Sequence, residues 1–568
     1  MLHNKANAFE VTEVIYTSER PQDCTPPTLH EGVFTIYDLM YVWIDWYGYE
    51  AGTVYRYEWY SPDSILIYSY ENSRSSSSSG CSWGRISTQR LWENGEGEWT
   101  VRFYYDEILY HTGTFIFEDP GDFDYMVYQP ESFSPGNGVI IAVHGNDRTV
   151  VSYYHNFTRM ADDHSVLLIV PYFNETEWNG YQRVFTEDFR ADTFLKNIIT
   201  SVATETGADA TVLYFYGHSA GGQFSHRYIL AHPEDIVRAV ISAPGWWTFL
   251  REDWLWAYGI GITDVIPDDV IFDLDEINYV RKKVIVGELD TLRDSSLNQS
   301  ERADLQGLNR VERSAYWVNQ MNLYSFERGL DSYLRYEIIP ALGHSGSWSV
   351  KESIVEEFLF GDYPIPNVIG IIEINNNEDS TNSLAVELIV TCQAEVGCGQ
   401  VAIDTTTNFS EYQDVEWSGE PGDIQTTTLS YVLSEDEGTK VVFCQIMDQE
   451  GNISDPFADA IVFYQLTDVA DKRENRIRVP EKFRLFQNYP NPFNPITTIQ
   501  YALPEFGKII LAVYDLSGQA VEVLVNEEQP IGEYQIQWDA GGLASGIYFY
   551  RLTVNNQTVT TRKMILLK

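Results

Sequence analysis

The pattern of apolar and polar positions changes character several times along the chain. From about Phe9 to Glu118 it consists of short, aromatic, partly alternating runs such as Thr35–Trp46 and Val54–Tyr60, broken by turns such as Ser61-Pro-Asp-Ser64. Alternation with a period of two marks half-buried strands, and Gly97–Tyr105 followed by Ile108–Phe117 predicts a hairpin. The stretch predicts an all-β sandwich, with the serine-rich Ser73–Gly80 as a loop. Its aromatic side chains suit either sandwich packing or a polymer-binding surface, and packing is the commoner use.

From Asp119 to Tyr363 the runs become continuously apolar. Gly138–His144, Ser165–Pro171, Val212–Tyr216, Ala239–Ala243 and Lys283–Gly287 read as strands buried on both faces, and about Asp188 to Thr204 reads as a helix. Strands alternating with helices predict a doubly wound, mostly parallel α/β sheet. Pro364-Ile-Pro366 reads as a linker, Val368 to Thr467 returns to short strands with Asn, Gly and Ser turns, and Asp468–Glu481 is charged and linker-like. The expected fold is therefore multidomain. Residues 1–118 form an N-terminal β-sandwich, 119–363 a central α/β domain and 364–467 an immunoglobulin-like β module. Residues 468–482 are a linker, and 483–568 form a C-terminal β-sandwich.

Composition narrows the function classes. The chain has 568 residues, with Lys and Arg totalling 37 against 83 Asp and Glu, a net charge of −46. Such a surface repels nucleic acid and anionic membranes, so no nucleic-acid partner is expected. No apolar run reaches the ~18 residues of a membrane span. Met1–Ala8 lacks the apolar stretch of an export signal, so either the protein stays inside or its signal is missing from this chain. Cys24, Cys81, Cys392, Cys398 and Cys444 lack zinc-ligand spacing, and no metal site is expected. Cys24 and Cys81 suit a disulfide within one domain, and two of the other three could pair. Asp448 and Asp455, around Gly451-Asn452, suit calcium ligation and ordinary turns equally.

The candidate chemistry lies at Thr211–Gly222, where an apolar run stops at Gly217 and Gly217-His-Ser-Ala-Gly221 leads into a helix-compatible stretch. A strand, a sharp turn and a helix with Ser219 at the apex describe a nucleophile elbow, although an ordinary turn with a capping serine has the same letters. A serine hydroxyl needs a base, itself oriented by a carboxylate, and in such a fold these follow in the order Ser, acid, His at strand ends. Asp290 stands just past the Val284–Val286 strand, with Glu288 and Asp294 as nearby alternatives. His344 stands on a small-residue loop after the strand Tyr336–Pro340. Oxyanion donors are expected at the backbone N–H of Ala220, after the nucleophile, and of Asn146, in the loop Val143-His-Gly-Asn-Asp147. The aromatic segment Gly245–Trp256 follows a strand end and either clamps substrate through Trp246 and Trp247 or forms a packed cap. Gln306–Arg313 shows no role beyond a helix start.

Two resemblances emerge from these residues. His144-Gly145, Gly217-His-Ser-Ala-Gly-Gly222, Gly287-Glu-Leu-Asp290 and Gly343-His344 resemble an α/β-hydrolase across roughly Asp119–Tyr363, nearest to secreted esterases of the polyhydroxybutyrate-depolymerase and feruloyl-esterase kind. The resemblance implies an acyl-enzyme mechanism carried by Ser219, His344 and Asp290, with no cofactor, acting on esters of a polyester or of plant-wall material. Asn488-Tyr-Pro-Asn-Pro-Phe-Asn-Pro495 and Ala544-Ser-Gly-Ile-Tyr-Phe-Tyr550 resemble the type A sorting domain of the type IX secretion system across Phe483–Lys568. That implies the secretion machinery as a partner, a Bacteroidetes-type source, and a secreted or cell-surface location. A serine peptidase of the same fold and a catalytically silent surface-binding protein are the alternative functions.

Overall fold

A computed structural model of the chain describes residues 9–465 and 484–567, apart from 19, 22–23, 30–32, 76–77, 120, 262, 264, 331, 346, 363–365, 489, 504–506, 516–518, 530–531 and 555–556. The expected linker Asp468–Glu481, most of Pro364-Ile-Pro366, and the end residues Phe483 and Lys568 lie outside the described residues. Met1–Tyr464 and Gln465–Lys568 are two compact units.

The first unit is built on one sheet of seven strands. These are Tyr125–Tyr128 (β1), Val139–Val143 (β2), Leu167–Pro171 (β3), Leu213–His218 (β4), Ile236–Ser242 (β5), Arg281–Gly287 (β6) and Arg335–Ile339 (β7), in the order β7-β6-β5-β4-β2-β3-β1. Neighbours run parallel except at the edge, where β1 lies antiparallel to β3. The main helices are Val150–His164 (α1), Ala191–Thr206 (α2), Ala220–Ala231 (α3), Arg310–Arg328 (α4) and Trp348–Phe360 (α5).

Side chains alternate across a strand, so each apolar run divides between two cores. Val139, Ile141, Ile169, Phe215 and Ile241 join a core with α2, α3 and α4. Their neighbours Ile140, Ala142, Leu168, Tyr216 and Val240 join another with α1 and α5. A strand covered on both faces must be apolar at consecutive positions, which is why these runs read as continuous.

The second of these cores also contains Trp46, Trp59, Trp99 and Phe103 from the N-terminal strands. Those strands form a three-stranded sheet (Glu10–Thr17, Met40–Tyr49, Ser78–Ile86) and a five-stranded one, in which Gly97–Tyr105 and Ile108–Phe117 pair as a hairpin. Trp46, Trp59 and Trp99 are buried, so these aromatics pack rather than form a surface. Two details differ from the sequence reading. A short helix, Thr88–Glu93, begins where the Ser87 hydroxyl accepts from the Arg90 N–H. The serine run is shared between strands, since Leu66–Ser73 and Ser78–Ile86 take up both ends.

Residues 368–463 form a sandwich whose three- and five-stranded sheets share a core. It is fastened to α4. Asn319 donates to the Ile372 carbonyl at 2.8 Å and accepts from the Ile372 N–H at 3.0 Å, while Val441, Phe443, Ala458 and Ala460 enter the core shared with α2, α3 and α4. Asp455 receives Arg335 Nε at 2.8 Å and the Tyr336 N–H at 3.1 Å, and Asp448 caps the turn N–H groups of Glu450 and Asn452. These partners use the carboxylate oxygens that calcium ligation would need. Disulfides join Cys24 to Cys81 and Cys392 to Cys398, leaving Cys444 as a buried thiol.

The second unit places seven strands among its described residues in sheets of three and four around one core. Its Asn-Pro-rich opening has a structural use. Buried Asn488 donates through Nδ2 to Thr497 Oγ1 at 2.9 Å, and its N–H donates to Tyr550 Oη at 2.7 Å. Asn491 accepts the Ile565 N–H at 2.8 Å, tying the first turn to the last strand.

Candidate active site

Strand β4 ends at His218 and α3 begins at Ala220, leaving Ser219 alone to make the turn. Its backbone has φ 56° and ψ −116°, a sparsely populated region that costs about 1–3 kcal/mol and persists only where neighbours enforce it. The glycines on either side are part of that enforcement. A Cβ on Gly217 would run into the Gly221 carbonyl and Ser225 Oγ, and one on Gly221 into the Val143 and His144 carbonyls. The Ser219 N–H is anchored to the Ser242 carbonyl at 2.8 Å, so the apex is fixed against β5.

The three residues that arrive in order along the chain converge in space. His344 Nε2 lies 3.1 Å from Ser219 Oγ, and His344 Nδ1 lies 2.8 Å from Asp290 Oδ2. With Nδ1–H donating to the carboxylate, Nε2 is left to accept the serine proton. Asp290 is 2 % exposed and its other oxygen receives Arg310 Nη1 at 3.2 Å. Glu288 has a different task, since its carboxylate accepts the Ala341 N–H at 2.9 Å and so ties the histidine loop to the end of β6. Asp294 is exposed and accepts from its own turn at Ser296.

The second expected donor loop abuts Ser219. A Cβ on Gly145 would come 3.7 Å from Ser219 Cβ, which places Asn146 at the rim of the same cavity. The loop is held from beneath by His144, whose Nε2 accepts the Phe173 N–H at 3.1 Å, leaving Nδ1–H to donate to the Gly145 carbonyl at 2.8 Å. Burial drives the His144 pKa down to about 4, so the ring stays neutral and keeps this tautomer. Ala220 is buried at the first turn of α3, where backbone N–H groups have no partner inside the helix.

A cavity of about 540 Å³ opens beside Ser219 and His344. Its walls are Tyr153 and Phe157 from α1, Tyr216 from β4 and Trp348 from α5, with Ser152, Asn156, His218, Ser296 and Lys351 among the polar groups. Phe157 and Trp348 rings lie 4.4 Å apart, and Tyr216 meets Trp348 edge-on at 5.3 Å.

Trp246 and Trp247 are not part of that wall, which corrects the expectation of an aromatic clamp. They are 6 % and 0 % exposed. Trp247 stacks on Trp317 at 4.0 Å, while Trp246 lies under the Arg227 guanidinium at 4.0 Å and against Tyr258. The physical reason lies in Gln306–Arg313, the segment with no role legible in the sequence. Gln306 accepts the Trp247 N–H at 2.8 Å and donates to its carbonyl at 2.9 Å, and buried Arg313 donates to the Gly245 carbonyl. Their clamp folds the loop down as a packed cap. His218 and Arg310 also have partners that only the fold supplies. The first shares a hydrogen bond with Ser242 Oγ at 2.9 Å, and the second supports Asp290. Neither is visible from spacing, because their partners lie 20 or more residues away.

Residues 487–567 match the family described as the secretion system C-terminal sorting domain. No curated protein matches the chain at a significant level. Among solved structures, poly(aspartic acid) hydrolase-1 from Sphingomonas sp. KT-1 is 18 % identical, covering 42 % of this chain and 92 % of its own, with a TM-score of 0.37. A poly(3-hydroxybutyrate) depolymerase from Bordetella parapertussis is 20 % identical, covering 48 % and 91 %, also with a TM-score of 0.37. An acetyl xylan esterase from Aspergillus awamori is 13 % identical, covering 41 % and 93 %, with a TM-score of 0.26. No helix among the described residues is long and apolar enough to cross a membrane. The C-terminal unit carries a secretion sorting domain, which marks the chain for type IX export from, or onto the surface of, a Bacteroidetes-type cell.

Proposed function

We propose that the chain is an exported serine hydrolase that cleaves carboxylic esters through an acyl-enzyme, with residues 119–363 as its catalytic domain. The observation that carries this reading is the unbroken hydrogen-bonded chain from Ser219 through His344 to Asp290, at the mouth of a cavity. In the scheme, Ser219 Oγ attacks the ester carbonyl as His344 Nε2 takes its proton. Asp290 holds the imidazole in the accepting tautomer and stabilises the imidazolium. The N–H groups of Ala220 and Asn146 bind the oxyanion, as fixed donors that need no reorganisation when the charge develops. His344 then returns the proton to the leaving alcohol, and water, activated by the same base, releases the acid. The scheme uses no cofactor. Polyester, polyhydroxyalkanoate and feruloyl or other plant-wall esters are the substrate classes that fit the family resemblance.

The test pairs the wild type with Ser219→Ala on a panel of chromogenic esters, together with labelling by a fluorophosphonate probe. Hydrolysis and labelling in the wild type, with turnover reduced about 10⁶-fold by the substitution, are expected. A wild type that neither hydrolyses any ester nor takes the label refutes the reading.

A further inference from the structure

Helix α5 carries one residue that contradicts its own pattern. Trp348, Lys351, Val355, Phe358 and Leu359 fall on one face at helical spacing, and Lys351, Val355, Phe358 and Leu359 are buried. A lysine in such a stripe ordinarily sends its ammonium out to water along the stem. Lys351 does not, being 6 % exposed and contributing to the wall of the cavity beside Ser219.

Among the described residues its ammonium has no carboxylate within ion-pair distance. Its one polar contact among those residues is His218 Nδ1 at 3.5 Å, a long and weak one, and that nitrogen is already engaged by Ser242 Oγ at 2.9 Å. His218 itself is held neutral by burial, and an imidazole is neutral or cationic, so it supplies no negative charge in either state. A buried cation so weakly partnered is costly, and an anion brought by a ligand would offset that cost. Around it the cavity offers hydroxyl and amide groups from Ser152 and Asn156 and the aromatic surfaces of Tyr153, Phe157, Tyr216 and Trp348. The acid in the wall, Asp147, is exposed at the loop beside Asn146.

We infer that this cavity selects esters bearing a free carboxylate, with Lys351 pairing the carboxylate and the aromatic walls holding the carbon skeleton between it and the scissile bond. The inference rests on the hydrolase reading of Ser219 and deepens it by naming the substrate class.

The probes are monomethyl glutarate and its neutral counterpart methyl pentanoate, followed by proton release, with the pentanoyl ester of glycolate placing the carboxylate on the alcohol side instead. The wild type is expected to favour at least one carboxylated ester by about tenfold or more in kcat/KM, the range of a buried charge-assisted hydrogen bond. In Lys351→Met, which keeps the length and apolar stem of the side chain, that ratio collapses toward one. Calorimetric titration of full-length Ser219→Ala supplies a measure that needs no turnover. It is expected to bind monomethyl glutarate or pentanoyl glycolate about tenfold more tightly than methyl pentanoate, and the preference disappears in Ser219→Ala/Lys351→Met. Equal binding of the charged and neutral esters, or a preference that survives the loss of Lys351, overturns the inference. Fluorophosphonate labelling separates the two failures. Labelling of Ser219 without anion preference leaves the hydrolase and removes the carboxylate site, and anion preference without labelling does the reverse.

Discussion

Gly221→Ala puts the elbow geometry to a direct test. The added methyl would sit 2.5 Å from the His144 carbonyl and closer still to the Val143 carbonyl, both on the backbone of β2 and the loop after it. Neither oxygen can rotate away, so α3 must retreat from β2. Overpacking of this kind costs about 1–3 kcal/mol. For a large domain each kcal/mol lowers the melting temperature by about 2–4 °C, so a fall of roughly 2–12 °C is expected. The catalytic loss should be larger in proportion, because the retreating helix carries Ala220 and drags Ser219, and a misplacement near 1 Å costs about 10²-fold in rate. Gly343→Ala is the control. It adds the same methyl beside the candidate base, yet its Cβ would meet nothing within 4 Å. Differential scanning fluorimetry and ester kinetics on both variants decide the matter. If Gly221→Ala melts and turns over like the wild type, or Gly343→Ala is equally damaged, the argument that glycine is required by the carbonyls of β2 is wrong.

Three further outcomes follow from the same geometry. Asp290→Asn should leave the fold intact but reverse the His344 tautomer, lowering kcat by about 10⁴-fold while KM changes little; a fall below tenfold would show that another acid orients the ring. Trp247→Ala should cost about 3–5 kcal/mol of stability in chemical denaturation, because it opens a cavity against Trp317, whereas a selective rise in KM would restore it as a substrate residue. Burial lowers the Lys351 pKa to about 8, so the ammonium is charged below that pH and neutral above it. Preference for carboxylated esters should accordingly be present at pH 7 and fade as pH rises past 8. His218 and His344 face the same region and Asp290 raises the Lys351 pKa, but any effect they have on the chemical step is common to charged and neutral esters and cancels in the ratio of their kcat/KM values. A ratio independent of pH from 6 to 10 would count against the charge as its origin.

What was legible in the sequence was whatever local physics dictates. A strand buried on both faces has to be apolar at every position, so β2 to β6 announced themselves, and β1, four residues at an antiparallel edge, did not. The elbow was legible because Gly217 and Gly221 are required by backbone carbonyls within a few residues or on the adjoining strand. The Asn-Pro turns of the sorting domain were equally plain, since proline and asparagine impose their geometry locally. Asp290 and His344 were legible because each stands just past the end of a later strand, where the acid and then the base of an elbow serine are expected.

Side-chain direction was another matter, and there only the tertiary structure decided. Trp246 and Trp247 have the composition of a substrate clamp, yet Gln306 and Arg313, about 60 residues on, hold their loop down as packing. Arg310 looked like a helix start until the fold brought its guanidinium to Asp290. Lys351 shows the division most clearly. Its position on the buried stripe of α5 follows from the helical spacing, but whether its ammonium met a carboxylate, solvent or the cavity beside Ser219 depended on which face of the sheet α5 packs against. Periodicity specifies which residues turn inward, and the chain's long-range contacts specify what they find there.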